Sequence, residues 1–160
     1  MNVGLTMDAQ LTGDGRSLLI SRSVEGETAF ELWNIETAER VARLNVAGTP
    51  ALFSVDRAGE HLAIADYDRA IRIWHFPTGD LLGQLDLQAQ ASHIELAPNG
   101  DALGVIHGDQ GVSLWRVDQP AGPMIRETVP GAWQLGFSPS GNLFIAGTAQ
   151  QGYQVYRSPD

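Results

Sequence analysis

The chemistry open to this chain rests on few residues: His61, His75, His93 and His107, the carboxylates Asp66 and Asp68 in ADYDRA, and the serines of GFSPSG around Ser138. GFSPSG invites comparison with the strained turn that exposes a nucleophilic serine. The glycine required two residues after Ser138 is Ser140, however, and no strand-to-helix junction follows, so the segment reads as a β-turn. No two histidines stand at ligand spacing and Cys is absent, which argues against a zinc site. ADYDRA has two Asp but lacks the glycine and the later glutamate of a calcium loop. Asp66 and Asp68 could form a general acid and base pair, but on a tight turn without a defined cleft they read as structural. His107 and Asp109, two residues apart near a hairpin turn, read as solvated loop groups. All ten basic residues are Arg, so a Schiff base, a lysine general base and a phosphate-loop lysine are impossible. The expectation is a non-enzyme with no metal, no cofactor and no catalytic residue.

The elements that would hold such residues follow from composition and periodicity. A chain of 160 residues at 43% hydrophobic and 18% charged is that of one soluble domain. No run approaches the roughly 20 apolar residues of a membrane helix, and MNVGLTMDAQ has no signal-peptide character, so neither membrane nor export is expected and the location is read as cytoplasmic. A net charge of −9 repels phosphate backbones, which argues against nucleic acid. Eighteen Gly and eight Pro call for many turns and short strands.

Trp33, Trp74 and Trp115 stand 41 residues apart, and a further 41 lands on Tyr156. Gly59, Gly100 and Gly141 keep the same beat, each 15 residues before its aromatic, while Gly15 precedes Trp33 by 18. The three extra residues fall in SRSVEGET, a lengthened hairpin loop. Each unit has an alternating pair (Ala9 and Leu11, Phe53 and Val55, Ile94 and Leu96, Leu135 and Phe137), a polar turn ending in Gly at a positive backbone angle, an apolar β-rich segment, and a strand closing on the aromatic. Units one to three add a fourth segment. Four short antiparallel strands per unit of 40–45 residues are the arithmetic of a β-propeller blade. Helical repeats fail because Gly or Pro interrupts most windows of helical length, and IETAERVARL, the one helix-tolerant stretch, reads as turn plus strand.

At FSPSG, DRAIRIW with HFPTGDLL, and WNIETAERVARL the sequence resembles the WD-repeat β-propeller family. The resemblance covers the whole chain and implies an all-β fold of about four blades, spanning 7–46, 50–87, 91–129 and 132–160, the last without its outer strand. It implies that Asp68 and Asp109 occupy the family's turn Asp, with Glu27 and Gln150 in their place in units one and four. The family's Gly-His pair is absent, so its His–Asp network cannot be assembled, and Asp68 and Asp109 are expected to tie down their own turn amides. Four blades make an open arc: a piece of a longer protein, half of an oligomeric ring closed by a second copy as a homodimer, or the product of a truncated gene.

Trp33, Trp74, Trp115 and Tyr156 are expected to form the blade core. Trp133, at the start of a first strand, and Tyr67, beside Asp68 on a turn, fall on the face that WD-repeat proteins use most often for partners. With Arg69 and His93 they make a candidate protein-binding patch, since aromatic and Arg residues dominate hot spots. Three functions compete: a non-catalytic protein-interaction scaffold, an accessory propeller portion of a larger enzyme or signalling protein, and a small-ligand binder using the inner channel. At the open ends Leu18, Ile20, Phe144 and Ile145 are expected to lack cover.

Overall fold

A computed structural model describes residues 5–48, 50–119, 121–148 and 152–157, the side chains of 5–7 excepted. Gln150 and the last residues of blade four, 158–160, lie outside the described residues. The chain forms four antiparallel meander sheets in sequence order, the first three with four strands and the last with three. Blade one holds β1 (Leu5–Leu11), β2 (Ser17–Val24), β3 (Glu27–Asn34) and β4 (Arg40–Ala47). Blade two holds β5 (Leu52–Val55), β6 (His61–Ala65), β7 (Ala70–His75) and β8 (Asp80–Asp86). Blade three holds β9 (His93–Leu96), β10 (Ala102–Ile106), β11 (Val112–Arg116) and β12 (Pro123–Glu127). Blade four holds β13 (Ala132–Phe137), β14 (Leu143–Thr148) and β15 (Gly152–Arg157). The sole helical element among the described residues is the 3-10 turn Gly108–Gln110, and IETAERVARL is turn plus strand.

The hairpins explain the glycine beat. Gly15, Gly59, Gly100 and Gly141 close the turn after the first strand of their blades with φ between 72° and 79°. Each donates its N–H to the carbonyl three residues back, at 2.9, 3.3, 2.9 and 2.8 Å in order. Gly59, Gly100 and Gly141 also lean on the preceding blade: a Cβ there would stand 2.8 Å from Leu32, 2.6 Å from His61 and 2.3 Å from Asn99. Gly15 meets nothing within 4 Å, because no described blade packs against that side of blade one. The lengthened first hairpin ends in a two-residue turn, Glu25–Gly26, with φ of 51° and 88°, the sign that matches the twist of a hairpin.

Apolar burial sits between blades. One cluster joins Leu19, Phe30 and Leu32 to Leu62 and Ile64; a second joins Ile71, Ile73 and Leu85 to Leu103 and Val105; a third joins Ile106, Val112 and Leu114 to Leu135 and Phe144. Three junctions serve four blades, and no cluster of described residues joins blade four to blade one, so the sheets form an open arc. The inner strands are stitched as well: the Leu96 N–H donates to Ser54 Oγ of the neighbouring blade at 2.9 Å.

Trp33, Trp74, Trp115 and Tyr156 are half-buried, not at the centre of the junctions. In the first three blades the register to the outer strand shifts at the Trp, pairing Trp33 with Arg40, Trp74 with Leu81 and Trp115 with Pro123. Such bulges bend the outer strand and let each ring ride near the rim of its junction. Phe144 also departs from expectation. It faces blade three and is fully buried, whereas Leu143 and Ile145 take the outward face of β14.

Candidate interaction rim

Meander topology puts the start of every first strand, the turn between second and third strands, and the end of every outer strand on one rim of the arc. Tyr67 and Arg69 lie there on the β6–β7 turn, His93 at the head of β9, and Trp133 on a bulge of β13. The four share this rim, and neither hydrogen bond nor ring contact joins them. Tyr67 is 69% and Trp133 60% exposed.

The β6–β7 turn is a firm platform. The Asp68 carboxylate accepts from the Ala70 N–H at 3.2 Å, and Arg72 pairs with Asp66 and, at 3.7 Å, with Asp68. Burial pushes the Asp66 carboxyl above its ordinary value, and Arg72 opposes that rise. Arg69 adopts φ 68°, a left-handed conformation that costs a non-glycine residue about 1 kcal/mol. Its carbonyl accepts from Leu87 at 2.8 Å and its guanidinium reaches the Gln88 carbonyl at 3.4 Å. Gln88 in turn accepts from Arg126 of the next blade at 2.8 Å, so the turn is tied across the junction.

The corresponding turn of blade three is built differently. Asp109 is exposed on the 3-10 turn and its carboxylate meets no donor among the described residues. Backbone bonds close the loop instead, from Gln110 to His107 at 3.1 Å and from His107 to Gly111 at 2.9 Å, with Gly108 and Gly111 supplying the positive φ. His107 is not a solvated loop group. It is buried, with a ring nitrogen 2.6 Å from Ser113 Oγ, and the same hydroxyl accepts from Trp115 Nε1 at 2.7 Å. Burial, aided by Arg126, holds the His107 imidazole below the usual histidine range.

A Ser–His contact is the arrangement of an activated nucleophile. Ser113 is buried, however, and its oxygen is already engaged by Trp115, so no substrate reaches it. The signal in sequence was a serine two residues before the Trp with a histidine six before the serine. The same position supports the aromatic elsewhere: Glu31 accepts from Trp33 Nε1 at 3.2 Å and Gln154 from the Tyr156 hydroxyl. In blade two it is Arg72, a donor only, and Trp74 Nε1 is buried with no acceptor among the described residues.

Other candidate chemistry is spent on structure. Ser138 Oγ sits 3.2 Å from Ser140 and accepts from the Leu143 N–H at 3.1 Å, which makes GFSPSG a turn. Asp56, buried at the second junction, accepts from Glu60 at 2.9 Å and meets His61 Nδ1 at 2.8 Å, which raises the His61 pKa. Glu31, buried on the outward face of blade one, lies within 4 Å of Arg22, Arg40 and Arg43, at 3.8, 3.2 and 3.7 Å. Among the described residues no cluster of His, Asp and Glu is placed to hold a metal, and no helix is long and apolar enough to cross a membrane. A groove of about 540 Å³ follows the inner edge of the arc between Phe53, His93 and Glu95. Burial lowers the His93 pKa and raises that of Glu95.

No family model and no curated protein matches the sequence. Solved structures do match the fold. The Myceliophteria thermophila Cps50 (Swd1) β-propeller domain superposes over 98% of this chain and 53% of its own, at TM-score 0.73 and 17% identity. Kuenenia stuttgartiensis hydrazine synthase superposes over 98% of this chain and 47% of its own, at TM-score 0.66 and 15% identity. The chain therefore has the fold of a β-propeller and spans about half the length of these propeller-containing chains.

Proposed function

We propose that this chain is a non-catalytic protein-interaction scaffold, an irregular WD-repeat-like propeller segment that works in the cytoplasm and holds a protein partner on the rim carrying Tyr67, Arg69, His93 and Trp133. One observation carries the reading: two large aromatic side chains stand more than half exposed on the same rim of a rigid arc. Ser113, Ser138, His61, His107 and Asp56, among the groups that could do chemistry, are meanwhile taken up by turns and junctions. Aromatic anchors on a pre-ordered surface cost little entropy on binding and are the usual centres of protein interfaces. A charge of −9 favours a protein partner over nucleic acid. Fold alone does not assign function, and the rim supplies the argument.

Site-specific photo-crosslinking tests it. A crosslinker at position 67 or 133 is expected to capture one common protein, and the same probe at Glu36 or Thr78 on the opposite rim is expected to capture none. With that protein purified, Tyr67→Ala with Trp133→Ala should weaken binding at least tenfold at unchanged melting temperature, about 1.4 kcal/mol or more. Capture only from the opposite rim would overturn the assignment.

The half-length match to two larger propeller chains favours a second reading, an accessory propeller portion of a larger enzyme or signalling protein. In-frame repeats on either side in the genomic DNA would support it.

A further inference from the structure

We propose that the two end faces of the arc are partners for each other, so that two copies of this chain close into an eight-bladed ring through two identical junctions. The repeat frame gives the reason. The position of Tyr153 is held by Phe30, Ile71 and Val112 in the other blades, and that of Val155 by Leu32, Ile73 and Leu114. Those six are at most 3% exposed because the next blade covers them, whereas Tyr153 and Val155 are 61% and 63% exposed. The opposite end shows the mirror deficit. Leu11 is 59% exposed where Val55 and Leu96 are 7% and 3%, and Leu18 and Ile20 are half-covered where Leu62 and Ile64 are buried. Gly15 lacks the preceding blade that Gly59, Gly100 and Gly141 touch.

The faces are not merely apolar; they are the two halves of one junction. Blade one offers Leu18, Ile20 and Trp33 in the frame positions where blades two and three offer Leu62, Ile64 and Trp74, then Leu103, Val105 and Trp115. Blade four's outward face is of the kind that packs against that set inside the arc. The occupant that fits one end is therefore the other end of the same chain. A head-to-tail contact either closes a ring or grows a filament, according to the turn per copy. Superposition of the whole chain on larger propeller-containing chains shows that these blades are stepped as in a propeller, the curvature that ring closure needs. Eight blades lie within the range of closed propellers. The contact rests on apolar burial and not on charge pairing: Arg22, Arg40 and Arg43 surround Glu31 on one face with Glu27 nearby, and the described residues of the other, Gln134, Leu143, Ile145, Tyr153, Val155 and Arg157, carry one Arg and no carboxylate.

Light scattering of the purified chain is expected to give twice the 17.3 kDa chain mass, with the dimer tighter at high salt because two copies at −9 repel at long range. Val155→Arg and Leu18→Glu should each be monomeric with an unchanged circular-dichroism spectrum. An equimolar mixture of the two should regain the dimer, as a heterodimer with one native junction and one Arg–Glu junction, and a face that bound a copy of itself would not show this pattern. A monomeric wild-type chain at all concentrations, open-ended polymers, or a Val155→Arg chain that still dimerises would each overturn the ring. Tyr67, Arg69 and His93 lie on blades two and three, away from both end faces, so loss of dimerisation and loss of partner binding at Tyr67 are separate outcomes.

Discussion

Trp74 and Trp115 occupy one frame position in successive blades and differ in one respect that experiment can isolate. Trp115 Nε1 donates to Ser113 at 2.7 Å, while Trp74 Nε1 is buried with Arg72 in the serine's place and no acceptor in reach. Replacing either by Phe removes similar ring area from a similar half-buried site, and that common loss cancels in a comparison. What remains is the polar group. Trp115→Phe gives up a made hydrogen bond, worth about 1 kcal/mol, whereas Trp74→Phe removes a buried donor whose lack of a partner costs about 1–3 kcal/mol. Trp115→Phe is therefore expected to be the more destabilising by about 2–4 kcal/mol, which in a chain of this size is a melting-temperature gap of roughly 4–16 °C.

Urea unfolding followed by far-ultraviolet circular dichroism reads the difference at constant m-value. It should be run at one protein concentration, since oligomerisation shifts apparent stability. Equal losses, or a larger loss at Trp74, would show that the Trp74 indole N–H is satisfied by solvent and that the two sites are energetically alike.

Three further outcomes follow from the turns and the junctions. Gly59→Ala should cost clearly more than Gly15→Ala: both need φ above 70°, about 1 kcal/mol for Ala, but only at Gly59 does the new Cβ strike the buried Leu32 side chain, and melting temperatures would rank them. Arg69→Gly should raise stability by up to about 1 kcal/mol by relieving its left-handed backbone while weakening partner binding, and an unchanged affinity would remove Arg69 from the interface. The hydrogen bond that His61 donates to the Asp56 carboxylate raises the His61 pKa, so its contribution is full below the unfolded-state value of about 6.5 and is lost as pH rises through the folded value. The melting-temperature advantage of wild type over His61→Gln should accordingly shrink as pH rises above about 6.5; His107, lowered by burial, gives the opposite slope, losing stability as pH falls below about 6.5.

What the sequence discloses depends on whether a residue's role is set by its own strand or by the neighbour it meets. The 41-residue beat is legible because every blade solves the same packing problem. The turn glycines are legible because a positive φ excludes most other residues. Asp68 is legible because an Asp two residues before an amide binds it locally, and the Ala70 N–H lies there. Asp109 has the same spacing but a different loop: Gly108 and Gly111 satisfy the backbone without it, and the carboxylate is left in solvent.

Sidedness is harder. Alternation along LFIAG shows that β14 has two faces, but not which of them meets the preceding blade, so Phe144 cannot be told from Ile145 by pattern alone. The aromatic beat likewise marks a position without showing how deep it lies. The bulge at each Trp turns the ring toward the rim of its junction, whose centre is held by residues of the second strand, Leu62 and Ile64 beside Trp74 and Leu103 and Val105 beside Trp115. The same logic frames the proposed interaction surface. Residues that repeat in frame are spoken for by packing, and those out of frame, Tyr67 on its turn and Trp133 on its bulge, are exposed because no blade requires them. On the proposed reading, the departures from the repeat, not the repeat itself, carry the specificity of binding.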